Sequence, residues 1–242
     1  MKSARTRPRI SIVIPTYNER KNIPILIKKI LNLGLNTKII VVDDNSPDGT
    51  GEIADRLAKK YKNKIFVIHR KGKLGLGTAY IAGFKYAIKQ GSDLIFSMDG
   101  DLSHNPKYIP DFLKKINQSY DIVLGSRYIK GGDFSLNIKR KIISKSANLF
   151  AKWMLGMDVN DLTTGYRCYK RKVLESINLD SIKSGGYSFL EEILFFCKKK
   201  GFKMAETPII FTLRKGGKSK LARKEIIKFF FTIFRLKFKG VK

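Results

Sequence analysis

The chain has 242 residues, enough for one α/β domain with a well-buried core, and a hydrophobic content of 43% that excludes a disordered polymer. Its formal net charge of +29 calls for polyanionic partners (nucleic acid, anionic headgroups or phosphorylated substrates) without choosing among them. No apolar run reaches about 18 residues and no apolar h-region follows the basic segment Met1–Arg9, so neither a spanning helix nor a signal peptide is expected. The two cysteines, Cys168 and Cys197, are far apart and read as reduced, buried small hydrophobes of a cytosolic protein.

In chain order, Ile10–Pro15 is an apolar strand, followed by a helix over Asn22–Leu33 that stops at Gly34. Lys38–Asp43 is a second strand, and Asp48 is placed to cap a helix running to Tyr61. Ile65–His69 is a third strand; a glycine loop and a helix through Lys89 follow it. Asp93–Asp99 is a fourth strand, Pro106 opens a helix, and Asp121–Gly125 is a fifth strand. This alternation is the mark of a mostly parallel sheet built from βαβ units. After Lys130 the pattern loosens: a loop at Gly131-Gly132, helices over Lys139–Leu155 and Phe189–Lys200, and a strand over Thr207–Leu213.

Ligands of open α/β sheets bind beyond the carboxyl ends of the strands. Here those ends carry Pro15-Thr16-Tyr17-Asn18-Glu19, Asp43-Asp44 and Asp99-Gly100-Asp101. Two carboxylates flanking a glycine can share one hard cation, although a surface turn with capping aspartates has the same appearance. Asp43 or Asp44 capping a turn is the lesser reading of that pair. His69 and His104 read as structural. Gly75-Leu-Gly77 lacks the third glycine of a dinucleotide fingerprint, since Tyr80 stands there, and Gly217-Lys218-Ser219 lacks the first glycine of a P-loop.

The segments Ser11–Glu19 (SIVIPTYNE), Val42–Thr50 (VDDNSPDGT), Lys73–Tyr80 (KLGLGTAY) and Met98–Ser103 (MDGDLS) resemble the dolichol-phosphate mannose synthases. These form a branch of the inverting, GT-A-fold glycosyltransferase family 2. Gly125–Arg127, Lys139–Ser144, Asp161–Thr163 and Ser219–Leu221 extend the match in order over roughly residues 10 to 225. The resemblance implies a Rossmann-like GT-A catalytic domain over residues 1–220 that transfers mannose from GDP-mannose to a dolichyl or polyprenyl phosphate, with Mg²⁺ or Mn²⁺. The runner-up within enzymes is a glucosyltransferase using UDP-glucose.

Carried over by position, the resemblance assigns Pro15, Tyr17, Glu19, Val42 and Asp44 to the nucleoside end of the donor. It assigns Asp99, Gly100 and Asp101 to metal and diphosphate, with Ser103 as a third metal ligand where some relatives have glutamine. Arg127, Arg214 and Lys220 would clamp the donor phosphates, and Arg127, Arg140 and Ser144 would meet the acceptor phosphate. Asp101, Arg127 and Arg140 are thus the expected catalytic set. Asp161 and Glu192 are candidates for the sugar pocket or for structural roles. No catalytic base is assigned, because a lipid monophosphate is already largely ionised, with a second pKa of about 6.

Residues 221–242 are expected to form a basic amphipathic tail helix. Over Ala222–Lys239, Lys224, Lys228, Thr232, Arg235 and Lys239 make one polar stripe, and isoleucine, leucine and phenylalanine fill the remaining surface. A helix tucked into the core and a helix lying on a bilayer both accommodate this pattern; the basic edge favours headgroups. The expected placement is peripheral, on the cytoplasmic face of a membrane. Nucleic acid is not an expected partner, since the basic residues are spread along the chain with no recognisable binding motif.

Overall fold

Strand β1 (Ile10–Thr16) is buried along its whole length, as an apolar run must be in a sheet covered on both faces. Val13 points into one core while Ile12 and Ile14 point into the other, the period-2 alternation of a pleated strand. The structure, a computed structural model, describes residues 8–134, 138–212 and 223–238. The other strands are β2 (Thr37–Asp43), β3 (Ile65–His69), β4 (Leu94–Ser97), β5 (Ile122–Ser126), β6 (Asp133–Phe134), β7 (Arg167–Lys170), β8 (Met204–Pro208) and β9 (Ile210–Phe211). They form a seven-stranded sheet in the order β3-β2-β1-β4-β7-β5-β8 and a small β6-β9 pair. Only β7 runs antiparallel to its neighbours, so the fold is α/β with a mostly parallel central sheet.

Helices α1 (Ile23–Leu31), α2 (Thr50–Lys60) and α4 (Ile109–Asn117) cover one face; α3 (Leu76–Lys89), α5 (Ile138–Leu155), α6 (Arg171–Ser176), α7 (Phe189–Lys199) and α8 (Arg223–Phe238) cover the other. Helix α1 shows why: Ile23, Leu26, Ile27 and Ile30 recur at helical spacing and are buried, each contributing about 1.5–3 kcal/mol. The cap position of α2 falls on Gly49, one residue later than expected, and the Asp48 carboxylate accepts the Thr50 amide from just outside the helix.

Three further expectations are corrected. The chain leaves β4 at Ser97, before the acidic turn. Strand β7 was not foreseen, because the fully buried Arg167 interrupts its apolar pattern; that guanidinium donates to the carbonyls of Leu162, Thr164 and Leu190. The last long strand is Met204–Pro208, not Thr207–Leu213, and as an edge strand it tolerates a half-polar sequence and a proline. Cys168 and Cys197 are free and buried, and burial pushes the Cys197 thiol up to about 12.

Helix α8 packs on the domain along one side. Ile233 and Leu236 are buried in the core cluster beneath α3, α5 and α7. Thr232 is buried, and Arg235 donates to Glu192 and Ser184 at 2.7 Å each. These two members of the supposed headgroup-facing stripe therefore face the domain. Phe231 and Phe238 lie on the other side, 69% and 73% exposed. No helix among the described residues is long and apolar enough to cross a membrane.

Candidate active site

The ends of β1, β2 and β4 and the head of α3 surround one cleft of about 160 Å³. Pro15, Tyr17, Glu19, Asp44, Asp99, Gly100 and Asp101 all line it. Val42 does not: its side chain is fully buried in the core, so any donor contact must come from its main chain.

The acidic turn is shaped from three sides. Tyr80, fully buried, donates its hydroxyl to Asp99 Oδ1 at 2.9 Å. His104 Nδ1 accepts the Asp99 amide at 3.1 Å, which makes its other ring nitrogen the protonated one in the neutral form. Ser103 donates its amide and its hydroxyl to Asp101 Oδ1, the latter at 2.5 Å. Gly100 packs so closely on β1 that an added Cβ would come within 3.3 Å of the Pro15 carbonyl oxygen. Leu102 pays for this fold of the chain with a φ of 66°, uncommon for a bulky side chain. Burial of Tyr80 and the neighbouring Asp99 push the phenol far above its ordinary pKa, so it remains a donor.

Asp44 is less open than expected. One oxygen accepts from Arg70 at 2.7 Å, and the other accepts the amides of Leu74 and Gly75 at 3.1 Å. Burial pushes its carboxyl up despite these partners. Asp43 is internal too, accepting from Thr16 and Ser46.

Arg127 lies in a second cavity of about 260 Å³, lined also by Tyr128, Ile129, Phe134, Lys141, Ile142 and Lys145. Its Nε and Nη2 donate to Asp161 at 2.7 Å each, and Nη2 also donates to Thr163. Among the described residues Nη1 has no hydrogen-bond partner. Burial works against this charge, but Asp161 outweighs it and holds the proton more tightly than on a free arginine; Asp99 adds to the effect. The Phe211 ring lies 5.5 Å from the Arg127 guanidinium and 5.5 Å from the ring of His104, which bonds Asp99, so the two cavities are neighbours. Lys141 is paired with Asp133 at 2.7 Å.

Ser144 meets the Tyr128 hydroxyl at 2.6 Å, and Asn148 donates to Tyr128 and Thr163, which ties α5 to the Arg127 anchor. Arg140 belongs to α5, but its side chain, like Arg214 and Lys220, lies outside the described residues. Asp161 and Glu192 are both bonded within the protein: the first accepts from the Arg127 amide and guanidinium, the second accepts the amides of Lys183 and Ser184 and the Arg235 guanidinium. Sequence reasoning missed the parts played by Tyr80, His104, Tyr128 and Thr163; Tyr80 stood inside a quoted motif, yet its depth beneath the turn is a tertiary fact.

Residues 11–177 match the family model described as Glycosyl transferase family 2. The chain belongs to glycosyl transferase family 2. This family 2 glycosyltransferase is 39% identical over 225 residues to a polyprenol monophosphomannose synthase of Mycolicibacterium smegmatis, covering 93% of this chain and 85% of that one. It is also 39% identical over 215 residues to an undecaprenyl-phosphate mannosyltransferase of Micrococcus luteus, covering 88% of each. Among solved structures, glucosyl-3-phosphoglycerate synthase of Mycobacterium tuberculosis, in complex with Mn²⁺, UDP and glucosyl-3-phosphoglycerate, superposes with a TM-score of 0.68 at 18% identity, covering 95% of this chain and 80% of that one. At that identity the likeness concerns the fold, which is of the GT-A type.

Proposed function

We propose that this family 2 glycosyltransferase moves mannose from GDP-mannose to a polyprenyl phosphate, releasing GDP. The observation that carries the reading is the pairing of cavities: a carboxylate-lined cleft at the strand ends beside a cavity that is both cationic and apolar. The first suits a nucleotide diphosphate with its cation, and the second suits a phosphate bearing a hydrocarbon chain. The names of the two relatives supply the sugar and the acceptor class.

A divalent cation fits the residues present. Asp99 and Asp101 offer oxygen donors at the cleft, and no cluster of three or more ligating side chains exists among the described residues. One or two carboxylates completed by substrate phosphates is a usual setting for Mg²⁺ and Mn²⁺. Such an ion, when bound, stabilises charge on the departing diphosphate. Ser103, with its hydroxyl on Asp101, is assigned to holding that carboxylate in place. Ser103→Ala should raise the metal concentration needed for half-maximal turnover by about ten- to a hundredfold, since a hydrogen bond to a charged carboxylate is worth about 1.5–3 kcal/mol. A Mn²⁺ titration checks this, and complete loss would return Ser103 to the ligand set.

The remaining work is positioning. Arg127, fixed by Asp161 and Thr163, presents Nη1 towards a ligand; Lys141 and Lys145 line the same cavity. The acceptor phosphate is its own nucleophile, so holding it in line matters more than taking a proton. Arg140, Arg214 and Lys220 are proposed to add acceptor and donor contacts. The test is a donor panel of GDP-mannose, UDP-glucose and GDP-glucose with a short polyprenyl phosphate; preferred use of UDP-glucose would overturn the mannosyl reading.

We also propose that the protein sits peripherally on a membrane through α5 and α8. Trp153 is 75% exposed on α5, and Phe150 joins that helix to Phe230 and Phe234 of α8 at ring distances of 5.2 and 6.0 Å. This is more contiguous apolar surface than water tolerates cheaply, and lysines border it. The double substitution Phe231→Ser, Phe238→Ser should cut liposome flotation tenfold or more, at about 1.5–3 kcal/mol per immersed ring. Thermal stability should stay unchanged, because both rings are exposed. Unaltered flotation would sink the membrane placement. Deleting the helix would be a poorer experiment, since it strips Ile233 and Leu236 from the core and Arg235 from Glu192.

A further inference from the structure

We propose that Lys73 is a donor-binding residue, the cation that meets the diphosphate of the nucleotide sugar. The inference rests on the glycosyl-transfer reading above and adds a contact that the motif comparison does not assign.

Lys73 opens the glycine-rich strap between β3 and α3 and lines the donor cleft. Among the described residues lining that cleft it is the single cation, facing a wall that includes the carboxylates of Glu19, Asp44, Asp99 and Asp101. Its Nζ lies 4.2 Å from the centroid of the Tyr17 ring, directly over the aromatic face. Asp44 is already balanced by Arg70, and the two aspartates of the turn suit one divalent ion. A donor diphosphate entering this cleft therefore brings negative charge for which Lys73 is the available protein counter-charge among the described lining residues.

The backbone beside Lys73 is held in place. Asp44 Oδ2 accepts the amides of the next two residues, Leu74 and Gly75. Arg70 bonds to Asp44, to the Gly75 carbonyl and to Thr78, which closes the strap on its other side. Gly75 has a φ of 101°, a conformation that side chains resist, so the glycine fixes the path of the strap over the cleft. A tethered backbone with a mobile four-carbon stem is the arrangement that lets an ammonium move from ring to phosphate without moving the loop. The exchange favours phosphate, because a charge-assisted hydrogen bond to an anion is stronger than the attraction of a ring face. Tyr17 thereby keeps the ammonium pointed into the cleft instead of out to water. Asp44 gains a role different from the nucleoside contact expected of it: it sets where Lys73 stands.

The test is calorimetric and needs no turnover. GDP, GMP and guanosine are titrated into the wild-type protein and into Lys73→Ala and Lys73→Arg in the presence of Mn²⁺. Lys73 is exposed, so the variants should fold as wild type does. Lys73→Ala should bind GDP about tenfold more weakly, while guanosine affinity changes less than about twofold. Lys73→Arg should retain GDP affinity within about threefold, and the alanine deficit should shrink at 0.5 M salt. Unchanged GDP affinity in the alanine variant, or an equal loss for guanosine, overturns the assignment while leaving the glycosyl-transfer reading standing. A wild-type protein that binds no nucleoside diphosphate overturns both.

Discussion

Asp101→Asn should lower the transfer rate at least about a hundredfold while leaving the melting temperature within about 3 °C of wild type. The side chain is almost completely buried at the cleft, and its Oδ1 takes both the amide and the hydroxyl of Ser103. An asparagine can keep its oxygen in that place, so the turn survives. What the amide cannot supply is the charge that holds a divalent ion beside the departing diphosphate. Removing one group that stabilises developing charge on oxygen typically costs about 10²–10³ in rate. The small thermal effect has a specific cause: one of two like charges on a single turn disappears, and the relief offsets a weaker hydrogen bond. Steady-state rates across a Mg²⁺ and Mn²⁺ titration, with a melting curve for each sample, decide the matter. Near-wild-type turnover at micromolar metal would show that the ion is held elsewhere.

The parts of the molecule that were legible in the sequence are those whose signal is local. Ile10–Thr16 and Thr37–Asp43 are apolar runs ending in polar residues, and a covered parallel sheet requires that pattern. The acids at those ends could be placed on one rim because parallel strands all finish on the same side. Arg167 defeated the reading of β7, since a charged residue inside a strand is compatible with burial only when carbonyls outside the strand receive it, as those of Leu162, Thr164 and Leu190 do here. The tail misled for a related reason. Helical spacing tells which residues share a face, and on α8 almost every face is apolar, so the side that packs inward is chosen by Glu192, 43 residues away from Arg235. Glu192 and Asp161 stayed open in the sequence between the sugar pocket and structural roles, because their partners lie far along the chain. In the structure Glu192 pairs with Arg235 and Asp161 with Arg127. Lys73 was invisible as a site residue because a lysine in a glycine loop is ordinary until Tyr17 and Asp44 are seen around it.

Substitutions on the two sides of the Arg127–Asp161 pair should separate stability from chemistry. Asp161 is fully buried and Arg127 nearly so, with the guanidinium held through Nε and Nη2. Asp161→Asn leaves that cation in a buried place without its counter-charge, a change that costs about 3–5 kcal/mol. The melting temperature should fall by roughly 6–20 °C for a domain of this size. Arg127→Ala strands the carboxylate in the same way and should destabilise to a similar extent. It also removes the one arginine that reaches the second cavity among the described residues, so its activity loss should exceed that of Asp161→Asn when both are assayed well below their melting temperatures. Arg127→Lys should restore little of either property. A single ammonium cannot bond Asp161 through two nitrogens, touch Thr163 and still present a donor to the cavity. The paired measurement is a urea melt and the acceptor KM for each variant. Equal activity in Asp161→Asn and Arg127→Ala, after correction for the folded fraction, would reduce Arg127 to a structural cation and move acceptor binding to the lysines of α5.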